Sequence, residues 1–337
     1  MTHTGAGVSQ QRLQVRRIAP TREVPGLAED VRRGLLTPPR WLPPKYFYDE
    51  RGAELFEAIC ATPEYYPSRT EEALLQAQAG RIVAAAEAGH LVELGSGSAR
   101  KTRHLLDACA ARGRACMYWP FDVSADMLVA SSRALVREYP WLRVQALVGD
   151  YQAGLDNLEL PRDGAPRLFA SLGGTIGNFE EHEANAFLRE LRSIMGPGDR
   201  LLLGADRVKD RAVLEAAYND SQGITASFNK NVLHVLNRGL AGDFDPDCFE
   251  HKAVYNGESS RIEMYLQARR SHTVTLHALH RSLALEAGES ICTEISRKFS
   301  EQALHRLLAA GGFTIRQHYA APGDYYSLVL AAPSDGP

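Results

Sequence analysis

The segment LVELGSGSARKT places Gly95 and Gly97 directly after an apolar run and directly before a helical pattern. Glycines at that junction let a ligand approach the backbone while the first amides of the helix face it. A dinucleotide-binding loop would carry a third glycine at position 100, where this chain has Arg100, which argues against a bound pyrophosphate. A tight turn alone would use the same glycines. The next apolar run ends in PFDVS, and the following one in GDY. Asp122 can accept hydrogen bonds from ribose hydroxyls, and Asp150 with Tyr151 can hold an adenine between a carboxylate and a ring. Either aspartate could instead cap a helix. The three segments converge on one place, because ligands of open α/β sheets bind outside the carboxyl ends of the strands.

The elements that position these groups are legible from His90 onward. HLVEL, MYWPFDV, VQALVG, RLFASLGG and RLLLGAD are short apolar runs separated by amphipathic segments, the signature of βαβ units and a parallel sheet. The tail FSEQALHRLLAAGGFTIRQHYAAPGDYYSLVLAA reads as a helix and a hairpin that close the sheet. Residues 69–208 and 299–337 therefore form one α/β domain. Between them, 209–298 holds helices followed by alternating segments that predict a meander. Together with the helical stretch 21–68, which shows no strand, it makes a second lobe. Ser68 and Glu71 have capping-box spacing ahead of Leu74, Leu75, Ile82 and Val83, so a long helix is expected to start there. Residues 1–20 read as a loose arm.

At 337 residues, with 45% hydrophobic and 23% charged, the chain is an ordinary folded protein with room for a large core. A net charge of -3 gives no basic face for nucleic acid or anionic membrane, leaving a small molecule as the expected partner. The five cysteines contain no C-x-x-C pair, which fits a reducing compartment, and no apolar run suits a leader or a membrane span. A cytoplasmic monomer without a metal is expected. His272, His277 and His280 lack metal-ligand spacing and read as surface or packing residues.

The order ELGSGS, PFDVS, GDY resembles class I methyltransferases that bind S-adenosylmethionine. With PPKYFYDERGAELFEAI, PEYYPSRTE, LGGTIGNF, the YN of AAYND, RIEMYL, TEISRKFS and GDYYSLVLA, the chain from Pro43 to Ala331 is similar to the L-histidine Nα-methyltransferases of ergothioneine biosynthesis. The resemblance implies a Rossmann-like sheet with helices on both faces plus a substrate-binding lobe. It also implies S-adenosylmethionine at Gly95, Lys101, Asp122, Asp150 and Tyr151. It places L-histidine at Tyr65, Asn178, Tyr218, Glu294 and Ser296, with Tyr48, Phe56 and Met264 lining the pocket. Lys101 had no signal of its own.

Those residue types suit the chemistry the resemblance implies. An amine attacking a sulfonium methyl needs its lone pair, and burial against aromatic walls disfavours the ammonium. Asn178 can orient the amine and carboxylate, Tyr218 can donate to that carboxylate, and Tyr48 could contact the amine through water. Glu294 and Ser296, spaced i and i+2, lie on one side of a strand and can read the imidazole with Tyr65. Without the resemblance, Asn178 reads equally as a helix cap, Tyr218 as core and TEIS as a water-facing edge strand. Rival readings are methylation of another amino acid such as tryptophan, a non-catalytic S-adenosylmethionine-binding protein, and a nicotinamide-dependent dehydrogenase.

Overall fold

The structure, a computed structural model, describes residues 12–113, 116–161 and 163–334. Strand β1 (Leu13–Arg17) leads to helix α1 (Leu27–Gly34), the two-residue β2 (Arg40–Trp41), α2 (Glu50–Ala61) and the long α3 (Tyr66–Ala86). Strands and helices then alternate: β3 (His90–Leu94), α4 (Thr102–Ala111), β4 (Met117–Asp122), α5 (Ala125–Glu138), β5 (Arg143–Val148), β6 (Arg167–Ser171), α6 (Glu181–Ser193) and β7 (Arg200–Asp206). Helices α7 (Arg211–Ala217) and α8 (Ile224–Leu240) precede β8 (Phe249–Asn256), β9 (Arg261–Ala268), β10 (His272–Leu276), β11 (Arg281–Leu285) and β12 (Ser290–Arg297). The last elements are α9 (Glu301–Ala310), β13 (Phe313–Ala320) and β14 (Tyr326–Pro333).

Two compact units result. The first comprises, among the described residues, 12–24, 70–207 and 299–334; the second is Pro25–Arg69 with Val208–Lys298. The first unit is built on an eight-stranded sheet in the order β1-β5-β4-β3-β6-β7-β14-β13. β1 to β7 of this sheet run parallel, and β14 and β13 return antiparallel as the expected closing hairpin. Its central strands β3 to β7 are buried on both faces, as parallel strands under helices must be, while the edge strands β1 and β13 are largely exposed. Leu91, Tyr118, Ala146 and Leu168 pack on one side with residues of α3, α4 and α5. Val92, Phe121, Leu147 and Phe169 pack on the other with α6 and α9. The α/β class read from the sequence holds. Connections from β3 run to β4 and β5 on one side and to β6 on the other, so the carboxyl ends around β3 form the crevice where such sheets bind ligands.

Two local expectations fail. The supposed loose arm supplies β1, which pairs in parallel with β5 from Leu13 opposite Val144 to Arg17 opposite Val148. The strand is mostly exposed, so no apolar alternation announces it; backbone pairing holds it, and the Arg12 guanidinium donates to the carbonyls of Val136 at 2.7 Å and Tyr139 at 2.9 Å. The capping box is also absent. Helix α3 already begins at Tyr66, so Ser68 sits inside its first turn, 3.2 Å from Cys60 Sγ, and Glu71 is used elsewhere.

The second unit has a four-stranded sheet in the order β2-β12-β9-β8 and a separate β10-β11 ribbon. The expected meander is thus interrupted: β12 skips the ribbon and returns to pair with β9. The N-terminal stretch does contribute a strand, since β2 pairs with Ile291 and Cys292, but two residues are too few to show periodicity. A bulge in β12 between Cys292 and Glu294 inserts one residue and switches the alternation. Ile291 is buried before it, Thr293 within it, and Ser296 and then Lys298 after it.

Candidate functional site

Among the residues singled out from the sequence, Gly95, Gly97, Lys101, Asp122, Asp150, Tyr151 and Asn178 lie in the first unit. Gly95 follows β3 with φ +75° and Gly97 has φ +50°, conformations that side-chain-bearing residues rarely adopt. A Cβ on either would meet nothing within 4 Å, so the backbone there borders open space. Asp122, at the end of β4, accepts from the Gly97 amide and from the Ser124 amide, both at 2.9 Å. The cap of the following helix is Ser124, so Asp122 is not the helix cap of the alternative reading, and each of its carboxylate oxygens retains a lone pair for a ligand. Tyr151 opens a short turn after β5, its ring 6.4 Å from Phe121 and 5.7 Å from Phe187. Burial pushes its phenol pKa upward, so the ring is a neutral wall. Open backbone, a carboxylate, an aromatic wall and a cation at adjoining strand ends fit an adenosyl ligand.

That cation, Lys101, reveals a residue the sequence reading misassigned. Glu71 is fully buried and pairs with Lys101 Nζ. Its carboxylate also accepts from the Gly173 amide at 2.9 Å and from Tyr326 OH at 2.9 Å. Gly204 on β7 makes room for it; a Cβ there would stand 2.1 Å from Glu71 Oε1. Glu71 thus fixes Lys101 and the loop after β6. That loop ends in Asn178, the last residue of a short turn. The cap of α6 is Glu180, in a reciprocal capping box with Glu183, so Asn178 is not the helix cap that its position allowed.

Tyr48, Phe56, Tyr65, Tyr218, Met264, Glu294 and Ser296 lie in the second unit. Phe56 lies edge-on to Tyr48 at 5.8 Å and to Tyr65 at 6.1 Å, and Tyr65 stands 6.0 Å from Tyr218. Tyr48, at the outer end of this row, is 39% exposed. Tyr218 donates to Ser296 Oγ at 2.8 Å. Both hydroxyls accept from the Lys298 ammonium, at 3.0 and 2.8 Å, which is itself 3% exposed. Met264 is buried and lies opposite Glu294 in the strand register. Burial raises the Glu294 pKa to about 7, and the positive charge of Lys298 works against that rise.

A second layer holds Tyr218 in place. His251 Nε2 donates to the Tyr218 carbonyl at 2.8 Å, which leaves Nδ1 to accept from Asn229 Nδ2 at 2.8 Å. The Asn229 carbonyl oxygen accepts from Thr293 Oγ1 at 2.7 Å. Burial lowers the His251 pKa, consistent with this neutral tautomer. Lys298, Asn229 and His251 were missed from sequence; only Lys298 left a trace, continuing the two-residue period of Glu294 and Ser296.

Among the described residues, no group of three or more His, Cys, Asp or Glu side chains could hold a metal ion, and no helix is long and apolar enough to cross a membrane. Residues 27–333 match the model of a family described as histidine-specific methyltransferase, SAM-dependent. The chain is 47% identical over 307 residues to a histidine N-alpha-methyltransferase of Mycobacterium tuberculosis, covering 91% of this chain and 94% of that one. It is 44% identical over 305 residues to the histidine N-alpha-methyltransferase of Mycolicibacterium smegmatis, covering 90% and 94%. It is also 33% identical over 301 residues to ergothioneine biosynthesis protein 1 of Neurospora crassa, covering 88% of this chain and 33% of that longer one.

Proposed function

Because this chain belongs to the histidine-specific, S-adenosylmethionine-dependent methyltransferase family, we propose that it methylates the α-amino group of free L-histidine. Three successive transfers would give the trimethyl betaine hercynine, for ergothioneine biosynthesis. The observation that carries the acceptor assignment is Glu294, a half-buried carboxylate opposite Met264 and on one strand face with Ser296 and Lys298, its pKa raised by desolvation. A carboxylate held there has a use if a polar ring is bound; an indole N–H could pair with it, but an indole has no second ring nitrogen to accept from the Ser296 hydroxyl, as an imidazole has.

S-adenosylmethionine supplies a methyl group already activated on a positively charged sulfur. Gly95 and Gly97 let it approach the backbone, Asp122 takes the ribose hydroxyls, Asp150 and Tyr151 the adenine, and Lys101 the carboxylate. Tyr65, Glu294 and Ser296 read the imidazole, Asn178 orients the amine and carboxylate of histidine, and Phe56, Tyr218 and Met264 wall the pocket. The amine must shed a proton before each transfer. Desolvation against aromatic walls and the positive sulfonium favour the neutral form, and Tyr48, partly exposed, passes the proton to water. With so little covalent work for side chains, positioning supplies most of the acceleration. We further propose that the protein works as a cytoplasmic monomer.

The test is to incubate the purified protein with S-adenosylmethionine and each of the twenty amino acids and to follow S-adenosylhomocysteine and product mass. Histidine gaining three methyl masses is expected. Methylation of tryptophan instead would overturn the roles of Tyr65, Glu294 and Ser296 but leave the donor site standing; binding of the donor without turnover of any amino acid would make the chain a binding protein.

A further inference from the structure

Lys298 sits where its charge decides how the imidazole is read. Its ammonium donates to Ser296 Oγ at 2.8 Å and to Tyr218 OH at 3.0 Å, and lies 4.8 Å from the Tyr218 ring centroid. Tyr218 also donates its proton to Ser296 Oγ at 2.8 Å. The Ser296 oxygen thus accepts two hydrogen bonds, which uses both its lone pairs and leaves its own O–H as the group it can offer. Two residues earlier on the same strand face stands Glu294, which when ionised can only accept.

We propose that Lys298 is the positioning residue that fixes the sense of substrate recognition: Ser296 donates, Glu294 accepts, and the site selects a neutral imidazole carrying one N–H and one bare nitrogen. This rests on the histidine reading above and adds to it which protonation state is bound and what enforces it. A buried lysine would otherwise be costly, and here it is compensated by two hydroxyls, an aromatic face and a nearby carboxylate.

The other groups around Glu294 do not compete for this role. Tyr65 stays protonated, its pKa raised by burial, and burial pushes the Cys292 thiol up to about 11. Across the strand pair, Met264 is uncharged, and Glu263 is neutralised by Arg261 at 2.7 Å. Lys298 is the charge that opposes the burial-driven rise of the Glu294 pKa, so removing it moves the ionisation of Glu294 to higher pH.

Histidine binding to the whole chain, measured by calorimetry from pH 6 to 9 with saturating S-adenosylhomocysteine, tests this. Wild type should gain affinity as pH rises through about 7. Lys298→Met should bind histidine at least about tenfold more weakly at pH 7 and move the midpoint to higher pH by about one unit, a tenfold change in the ionised fraction. Lys298→Arg, keeping the charge, should keep the midpoint, and both variants should bind S-adenosylhomocysteine within twofold of wild type. A Lys298→Met profile that coincides with wild type overturns the inference alone, as does an equal midpoint shift in Lys298→Arg or a parallel loss of S-adenosylhomocysteine. Failure of wild type to bind histidine overturns the histidine reading with it. A probe of wild type needs no folded variant: 1,2,4-triazolylalanine, with an N–H and a bare nitrogen, should bind at least about tenfold better than 2-thiazolylalanine, which lacks the N–H. Equal binding of the two overturns the inference.

Discussion

In the first unit the candidate ligand groups gather in the loops after parallel strands; in the second the residues proposed to read the ring, Glu294 and Ser296, lie along one face of a bulged antiparallel strand, beside aromatic side chains from other elements. The first arrangement is dictated by topology, because a sheet that changes winding direction at β3 leaves a crevice whatever its side chains are. The second exists only because a bulge, a buried lysine and an asparagine-histidine pair hold a few polar atoms in a dry wall. A general donor platform and a specific acceptor reader should therefore fail in different ways.

The largest effect expected is at the platform. Gly97→Val puts a β-branched residue at φ +50°, and S-adenosylmethionine binding should fall at least about 100-fold in a calorimetric titration. Unaltered binding would mean the loop does not touch the donor. Next, Glu294→Ala should raise the KM for histidine by about 100-fold and that for S-adenosylmethionine by less than twofold; equal rises in both would dissolve the distinction between the units. Glu71→Gln keeps the shape but removes the charge holding Lys101, so the S-adenosylmethionine KM should rise about tenfold with the histidine KM unchanged. The smallest effect concerns pH. A folded-state Glu294 pKa near 7 lies above the ordinary carboxylate value, so the native protein binds more protons than the unfolded chain between about pH 4.5 and 7. Stability from this group is therefore greatest at low pH and is lost as pH rises through about 7. Glu294→Gln should raise the melting temperature by about a few degrees at pH 8 and leave it nearly unchanged at about pH 4, by calorimetry of the apo protein.

The same contrast explains what the sequence disclosed. Gly95, Gly97 and Asp122 answer to backbone requirements, and such requirements leave residue-type signatures at fixed places between an apolar run and a helix. Glu294 and Ser296 looked like an amphipathic edge until the family resemblance was used, because which face of β12 is buried depends on a bulge at Thr293 that no residue type announces. Glu71 was taken for half of a capping box since its spacing from Ser68 is correct; its partners Lys101, Gly173 and Tyr326 are distant along the chain and appear only on folding. The hydrogen bond from Tyr218 to Ser296 joins two different elements and has no local signature either. Local chemistry was readable, and long-range pairing was not.

Strand β1 bears on how the protein can be handled. It covers the edge of β5 with five residue pairs, and it carries the exposed Arg16, paired with Glu159, and the exposed Arg17, charges on an edge strand that discourage another chain from extending the sheet. A shortened variant starting after residue 18 would keep every proposed ligand contact and yet present the bare amides of β5 to its neighbours. Its failure would show as loss of monodispersity during expression and storage well before any loss in an activity assay.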